Sequence, residues 1–482
     1  MATTTVSTET RSGEDVLPLP FADRYAGGLL MFWLWAGGNI LLTTFLLGGY
    51  YAAALGAVGM VVVSVAGNIL GNFFPSLTGL RSARYGVDEY IGMRSTFGTF
   101  GAYIGVLLLV VINFGWVGIL SNIAGSSGTA ALHAITNSTA TTTGFGPNPF
   151  TLFALGAGIA IPIGMLYVSP KTVFSLVKWA VPLLVLFALL LLVKLFTDFG
   201  WTRLHAIRPT HSVSFAYGIE AAVAYSISWF PYMGSWNRFA KTERGAFWGA
   251  WTGLAAIGVL YSVVGGLATL ATGSADPSVW ATKAGLGIPA LFIIIFSTII
   301  NCAMLLYASV MAVRVVAPRL NYHLIVGIIA LPSIPFIYVG TLNSQFNNLL
   351  TVVGAFLAPY WGVALGDYFL VRRQHVDVAE LYRRHGRYWF TNGFNLGALV
   401  IWLCGVALWV YLAGWQTSIG LAQQLGQGEG LFNIATASAP VIVLCAVGYA
   451  LVGYRLGHAL RSKTAVVGNA TPLVTPRIGL EQ

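Results

Sequence analysis

Ser226, Trp229 and Met233 recur at i, i+3 and i+7 within one apolar stretch, so a helix would carry them on a single face. A second tryptophan, Trp116, lies in Asn113-Phe114-Gly115-Trp116-Val117-Gly118, where small neighbours clear space beside the indole. Two indoles on facing helices would sandwich a flat heteroaromatic ring, each stacking contact contributing about 0.5–1.5 kcal/mol. A tryptophan in an apolar segment also serves as a membrane-interface anchor. Trp116 and Trp229 fall well inside their segments, which favours the stacking role.

Ser297 and Asn301 are i, i+4 in an otherwise apolar run, with Thr298 beside them. Such groups serve as interhelical glue, worth about 0.6 kcal/mol each on average. Alternatively, the Ser297 and Thr298 oxygens, with carbonyls freed at Gly37-Gly38, would coordinate a small hard cation such as sodium, while Asn301 touches substrate. Lys178, Glu220 and Asp367 are ionisable groups in or near apolar segments, and an intramembrane charge is a functional candidate by default. Lys178 and Glu220 would then be proton-coupling groups. Lys178 is also placed to snorkel, and Asp367 to pair with Arg372 or Arg373.

No nucleophile elbow, phosphate loop, His-Glu-x-x-His or carboxylate pair set for acid–base work is present, so no enzymatic activity is expected. The three cysteines (Cys302, Cys404 and Cys445) all lie in apolar segments and suggest neither a disulfide framework nor a metal site.

These residues must be positioned by membrane helices. The chain of 482 residues is 57% hydrophobic and 8% charged, against roughly 25% charged in soluble domains. About twelve apolar segments long enough for ~30 Å of hydrocarbon occur. They lie near 27–48, 51–74, 100–125, 151–168, 173–196, 215–235, 247–272, 288–315, 323–340, 348–371, 390–414 and 434–456. The net charge of +10 is a topology signal and not a nucleic-acid footprint. With the N-terminus cytoplasmic, only Lys194, Arg203, Arg208 and Lys283 of the 25 Lys and Arg fall outside. The positive-inside rule then puts both termini in the cytoplasm. Residues 1–16 lack an apolar run, so no cleavable signal peptide is expected.

Two segments are interrupted, the first at Trp35-Ala36-Gly37-Gly38-Asn39 and the sixth at Trp229-Phe230-Pro231-Tyr232-Met233-Gly234. Interruptions at matching places of two halves point to the binding site of a secondary transporter. They coincide only for a five-helix repeat, and an odd number of spans makes the second copy inverted. The expected fold is therefore all-α, a 5+5 inverted-repeat core plus two peripheral helices. Its parts are a tail (1–24), a ten-helix core (25–375, repeats about 25–197 and 213–375), peripheral helices (388–457) and a second tail (458–482). Gly56-Ala57-Val58-Gly59 reads as close packing within span 2. Residues 126–150 read as a loop, and His205 and His211 as solvated loop histidines.

In this setting the chain resembles the nucleobase–cation symporter family one. The resemblance covers roughly residues 25–415 and rests on Arg94-Ser95-Thr96-Phe97-Gly98, Gly115-Trp116, Tyr307-Ala308-Ser309, Pro359-Tyr360-Trp361-Gly362, Asp367-Tyr368 and Gly393-Phe394-Asn395. Trp35 with Asn39, and Ser226 with Trp229, are similar to the fungal-type purine–cytosine permeases. The resemblance implies a leucine-transporter-type fold and proton- or sodium-coupled uptake. It also implies a flat base held between Trp116 and Trp229, with no bound cofactor. Two positions depart from the family pattern: Ser235 stands where an acidic partner of Arg238 is usual, and Leu120 replaces a polar residue. The expected protein is a plasma-membrane symporter for a purine, pyrimidine, hydantoin or allantoin-like compound. Gly37 and Gly38 would supply backbone contacts, Trp116 and Trp229 stacking, and Ser226 and Asn301 hydrogen bonds. An amino-acid or osmolyte symporter of the same fold is the alternative, and a channel a more distant one, since the interior offers no continuous polar pore.

Overall fold

The computed structural model describes residues 15–136, 145–209, 214–274, 287–338, 348–413 and 429–460. The expectations for the outer parts of both tails and for His211 and Lys283 lie outside the described residues. Within them the chain is helical, with no strand and two isolated bridges, Ala26 to Ala240 and Thr391 to Phe394. That uniformity follows from the solvent. In hydrocarbon each backbone N–H and C=O must be paired within the segment, and a helix does so.

Nine of the described helices are long and apolar enough to cross a membrane. They include α2 (Leu42–Tyr85), α4 (Thr99–Thr136), α5 (Pro149–Val168), α6 (Lys171–Phe199) and α9 (Glu243–Thr272). The others lie in α10 (Gly287–Val316), α12 (Asn348–Val371), α13 (Leu396–Ala413) and α15 (Ser438–Ala459). The expected number is recovered from the shorter pieces. These are α1 (Gly28–Asn39), α7 (Phe215–Ile227) with α8 (Phe230–Asn237), and α11 (Tyr322–Tyr338). Between α2 and α4 lies the short α3 (Glu89–Phe97), and α14 (Glu429–Ala435) precedes α15.

The 44 residues of α2 would reach about 66 Å if straight, twice a bilayer core. Gly56 resolves this: at φ 72°, ψ 179° it leaves helical geometry and divides α2 in two. Residues 42–55 complete the first span, and 57–85 form the second. This corrects the reading of Gly56 as a packing glycine within span 2, because only glycine takes that backbone conformation without strain. Residues 126–136, expected in a loop, instead continue α4, where Gly128 lets Phe153 of α5 pack against the backbone.

The helices sort into two packed groups. In one, α2 lies along α7, α8 and α9, and α1 lies along α9. Small residues set the closeness: a Cβ at Gly48 would fall 1.7 Å from the Ser262 carbonyl oxygen. In the other, α4 lies along α10 and α5. Helices α13 and α15 pack on α12 at the periphery.

At the end richest in basic residues, a dense polar cluster joins these groups. Arg94 donates to Leu381 O (3.1 Å) and Val315 O (3.0 Å). Thr96 donates to Asp367, which pairs with Arg372 at 2.7 Å. Asn395 donates to Thr96 O and to the Tyr449 hydroxyl. The motif residues behind the family resemblance are thus mostly fasteners of this end. The carboxylate missing at Ser235 is supplied from α3's cap: Ser235 donates to Asp88 at 2.7 Å, and Arg238 donates to Asp15 O.

Glu89 is fully buried here, accepting from Arg81 (3.2 Å) and Trp361 Nε1 (3.0 Å), with Asp88 beside it. Burial, partly offset by Arg81, pushes its carboxyl up to about 7. The folded protein therefore retains a proton between about pH 4.5 and 7 that the unfolded chain has released. This stabilisation is complete below about pH 4.5 and is lost as pH rises through about 7. Thermal unfolding in detergent across that range should show melting temperature falling with pH. Glu89→Gln should flatten the slope; an unaltered slope would remove Glu89 as its source.

Candidate functional site

Gly37 and Gly38 are poor helix formers and weaken the end of the first span. The break falls just after them: Ile40 (φ −76°, ψ 74°) and Leu41 (φ −127°, ψ 145°) are non-helical. Freed carbonyls find substitutes. The Thr44 hydroxyl donates to Asn39 O at 3.0 Å. Asn301 Nδ2 donates to Gly37 O (3.0 Å), to Ile40 O (3.4 Å) and, on its own helix, to Ser297 O (3.0 Å).

The sixth span is interrupted more gently, at Ser228 and Trp229. Both have helical-region angles but bond i to i−3, Ser228 N to Tyr225 O (3.3 Å) and Trp229 N to Ser226 O (3.2 Å). Pro231 follows in the first turn of α8, where its missing N–H costs least. The interruption therefore precedes Pro231 instead of centring on it.

Between the two breaks lies a small cavity. Leu41 contributes from the first break, and Tyr225, Ser228, Trp229 and Tyr232 from the sixth span. Trp116 and Leu120 of α4, with Asn301 and Leu305 of α10, complete the wall. It is mostly apolar and aromatic with a few polar groups, the usual make-up of a small-molecule site.

The aromatic walls are held by hydrogen bonds behind them. Trp229 Nε1 donates to Asn39 Oδ1 (3.0 Å), and Asn39 Nδ2 to Leu254 O (2.7 Å). Trp229 meets Trp35 edge-on at 5.8 Å and 82°, and Trp35 Nε1 donates to Asn237 Oδ1 (2.8 Å). The Tyr232 hydroxyl donates to Asn113 Oδ1 (3.0 Å), whose amide reaches Ser309 Oγ (2.7 Å). Trp116 packs edge-on against Tyr225 (5.8 Å, 76°), and the Tyr225 hydroxyl bonds Thr44 at 2.7 Å. These partners fix ring orientation.

Of the residues expected at the site, the structure brings Trp116, Trp229 and Asn301 to one cavity. Ser226 turns away. Its hydroxyl accepts from Asn72 Nδ2 (3.1 Å), against Gly71 on α2, and Ser228 stands at the cavity instead. Gly37 and Gly38 are not in the wall. A Cβ at Gly38 would lie 3.2 Å from the Trp229 ring, and one at Gly37 2.9 Å from Val181. They make room for neighbours, and Leu41 lines the cavity in their stead.

Ser297 and Thr298 both donate to Ile294 O, at 2.9 and 3.0 Å, and are buried beside the first break. The proton-coupling candidates are placed elsewhere. Lys178 is exposed on the outer face of α6, its ammonium 5.3 Å from the ring centroid of neighbouring Trp179. Glu220 is buried, but its carboxylate caps the start of α15. It accepts from Ala437 N and Ser438 N (both 2.9 Å) and from the Ser438 hydroxyl. A carboxylate at a helix N-terminus is held by orphan N–H groups and the helix dipole, a structural use.

Tyr225, Ser228 and Tyr232 went unassigned at the sequence level. Their spacing with Trp229 (i, i+3, i+4, i+7) was the available signal, a full helical face one residue round from Ser226 and Met233. No group of three or more His, Cys, Asp or Glu placed to hold a metal occurs among the described residues.

Comparison with known proteins agrees in fold and kind. A family described as permease for cytosine/purines, uracil, thiamine and allantoin matches residues 18–431. The hydantoin permease of Microbacterium maritypicum is 22% identical, with 81% of this chain and 82% of that protein covered. The allantoin permease of Bacillus subtilis is also 22% identical (82% and 86% covered). The purine-uracil permease of Arabidopsis thaliana is 23% identical (82% and 70%). Among solved structures, Mhp1, a nucleobase-cation-symport-1 family transporter in a closed conformation with bromovinylhydantoin bound, matches with TM-score 0.76 at 18% identity. It covers 94% of this chain and 97% of its own. The all-helical transporter fold expected from the interrupted spans is the fold found.

Glu220→Ala should leave two buried N–H groups unsatisfied, at roughly 1–3 kcal/mol each. The expected result is a lowered melting temperature with an unchanged KM for uptake by the folded fraction. Loss of ion dependence at unchanged stability would return Glu220 to the coupling machinery.

Proposed function

Because the chain belongs to the family of permeases for cytosine/purines, uracil, thiamine and allantoin, we propose that its cavity takes one planar nitrogen heterocycle and that the protein is a symporter for it. The observation that carries this reading is the pair of indoles, Trp116 and Trp229, walling one small cavity between two interrupted spans. A flat ring between them would gain about 0.5–1.5 kcal/mol per face beyond its buried area. Edge recognition would fall to Asn301 and to the Ser228 and Tyr232 hydroxyls. Leu120 and Leu305 close the rest of the wall with apolar surface.

Sodium is the coupling ion in this reading. Carbonyls of Gly37 and Ile40 converge on Asn301, and Ser297 and Thr298 place two hydroxyl oxygens beside Ile294 O one turn earlier on the same helix. Oxygen-only ligands suit a hard cation. The exposed position of Lys178 and the capping role of Glu220 leave protons without a carrier at this site. Alternating access would come from the α1, α2, α7, α8 and α9 group rocking against α4 and α10. The basic end, fastened around Arg94 and Asp367, would be cytoplasmic, with both termini on that side of a plasma membrane.

Trp116→Ala should abolish uptake of labelled uracil, allantoin or hydantoin while the protein stays in the membrane at equal amount. Uptake within twofold of wild type would end the stacking account. In proteoliposomes, a sodium gradient without a pH gradient should drive accumulation; accumulation by a pH gradient alone would reassign the ion.

A further inference from the structure

The side chain of Asn301 belongs to two places at once. Its residue lines the cavity, while its Nδ2 donates to Gly37 O and Ile40 O across the first break (3.0 and 3.4 Å) and to Ser297 O on its own helix (3.0 Å). Its Oδ1, the other arm of the same carboxamide, is buried with no hydrogen-bond partner among the described residues. A buried amide oxygen left unpaired is unfavourable. That acceptor, on a residue that lines the cavity, is left for a partner that arrives with a ligand.

The donor arm carries a second consequence. An N–H presents positive charge to the carbonyls of Gly37 and Ile40, the charge a cation would present there. The amide donor and a cation compete for the same two oxygens. Asparagine has an inexpensive way to yield, because its two arms are nearly isosteric and its terminal torsion is broad and roughly two-fold. Half a turn about that bond withdraws Nδ2 from the carbonyls and turns Oδ1 towards them. The same half-turn brings Nδ2 to where Oδ1 had been.

We propose that Asn301 is the coupling residue, a carboxamide that faces the cavity as an acceptor when its amine holds the first break and as a donor when a cation takes those carbonyls. This rests on the sodium-coupled heterocycle reading above and assigns its coupling to one side chain. A substrate carbonyl facing Asn301 meets a lone pair in the first state and an N–H in the second. Ion and substrate therefore favour the same rotamer, and each raises the affinity for the other by the same factor. Ser297 and Thr298, engaged with Ile294 O, serve the ion alone.

The test uses purified full-length protein in detergent, in sodium chloride or in choline chloride of equal ionic strength. Affinities for uracil, allantoin and hydantoin are measured calorimetrically, and sodium affinity by thermal shift without any heterocycle. In wild type, saturating sodium should tighten the best-bound heterocycle by about 5- to 150-fold. In Asn301→Ala that ratio should fall to about one while sodium still stabilises the protein; Asn301→Ser, too short to reach both places, gives the same result should the alanine variant not purify. Asn301→Asp, lacking the donor arm and adding a charge, should bind sodium on the order of tenfold more tightly.

Sodium-independent binding in wild type would overturn the proposal. So would a wild-type ratio in the alanine and serine variants, or an unchanged sodium affinity in Asn301→Asp. Should no heterocycle bind in either salt, the substrate reading fails by itself, and the sodium affinity of Asn301→Asp still decides the ion half.

Discussion

Hydrocarbon offers no hydrogen bonds, so a departure from helix within it has to be balanced inside the protein. At the first break the Thr44 hydroxyl and the Asn301 amide stand in for missing backbone donors. Those substitutions tie the start of α2 and the middle of α10 to a bend of two residues. The cavity exists because the bend does: Leu41 reaches it only by leaving helical geometry. Asn39, the last residue of α1, then orients Trp229 through its amide oxygen. Backbone satisfaction and site geometry are therefore one problem solved by the same few residues.

The polar groups of the interior divide between two tasks. One set lies behind the aromatic walls and locks them: Asn39, Asn113, Asn237 and the Thr43–Tyr225–Thr44 group. The other fastens the basic end, where α3 and the segments before α1 and after α12 are drawn together by Arg94, Asp88, Glu89 and Asp367. Burial pushes the Glu89 carboxyl up within this set. The residues that line the cavity include no Asp, Glu, Lys, Arg or His.

Much was legible from residue type and spacing. Long apolar runs dictated a helical bundle because no other backbone form hides its polar groups within one segment. Glycine pairs and a proline in otherwise continuous runs announced two interruptions. The tryptophans were distinguishable by depth within their runs, and Trp116 and Trp229 do meet at one cavity. The pairing of Asp367 with Arg372 followed from their proximity in sequence.

What lay beyond the sequence was which side of a helix faces inward. Ser226 and Ser228 are two residues apart, and about 200° of rotation decides which sees the cavity and which sees α2. Glu220 carries a charge in an apolar run, and only the arrival of α15, more than 200 positions later, shows which N–H groups its carboxylate meets. Glycines 37 and 38 make room for Val181 and Trp229, while the bend itself falls at Ile40 and Leu41. Local chemistry determined that there would be helices, breaks and aromatic walls. Packing between distant segments decided which atoms face the cavity, since that depends on neighbours that no local spacing records.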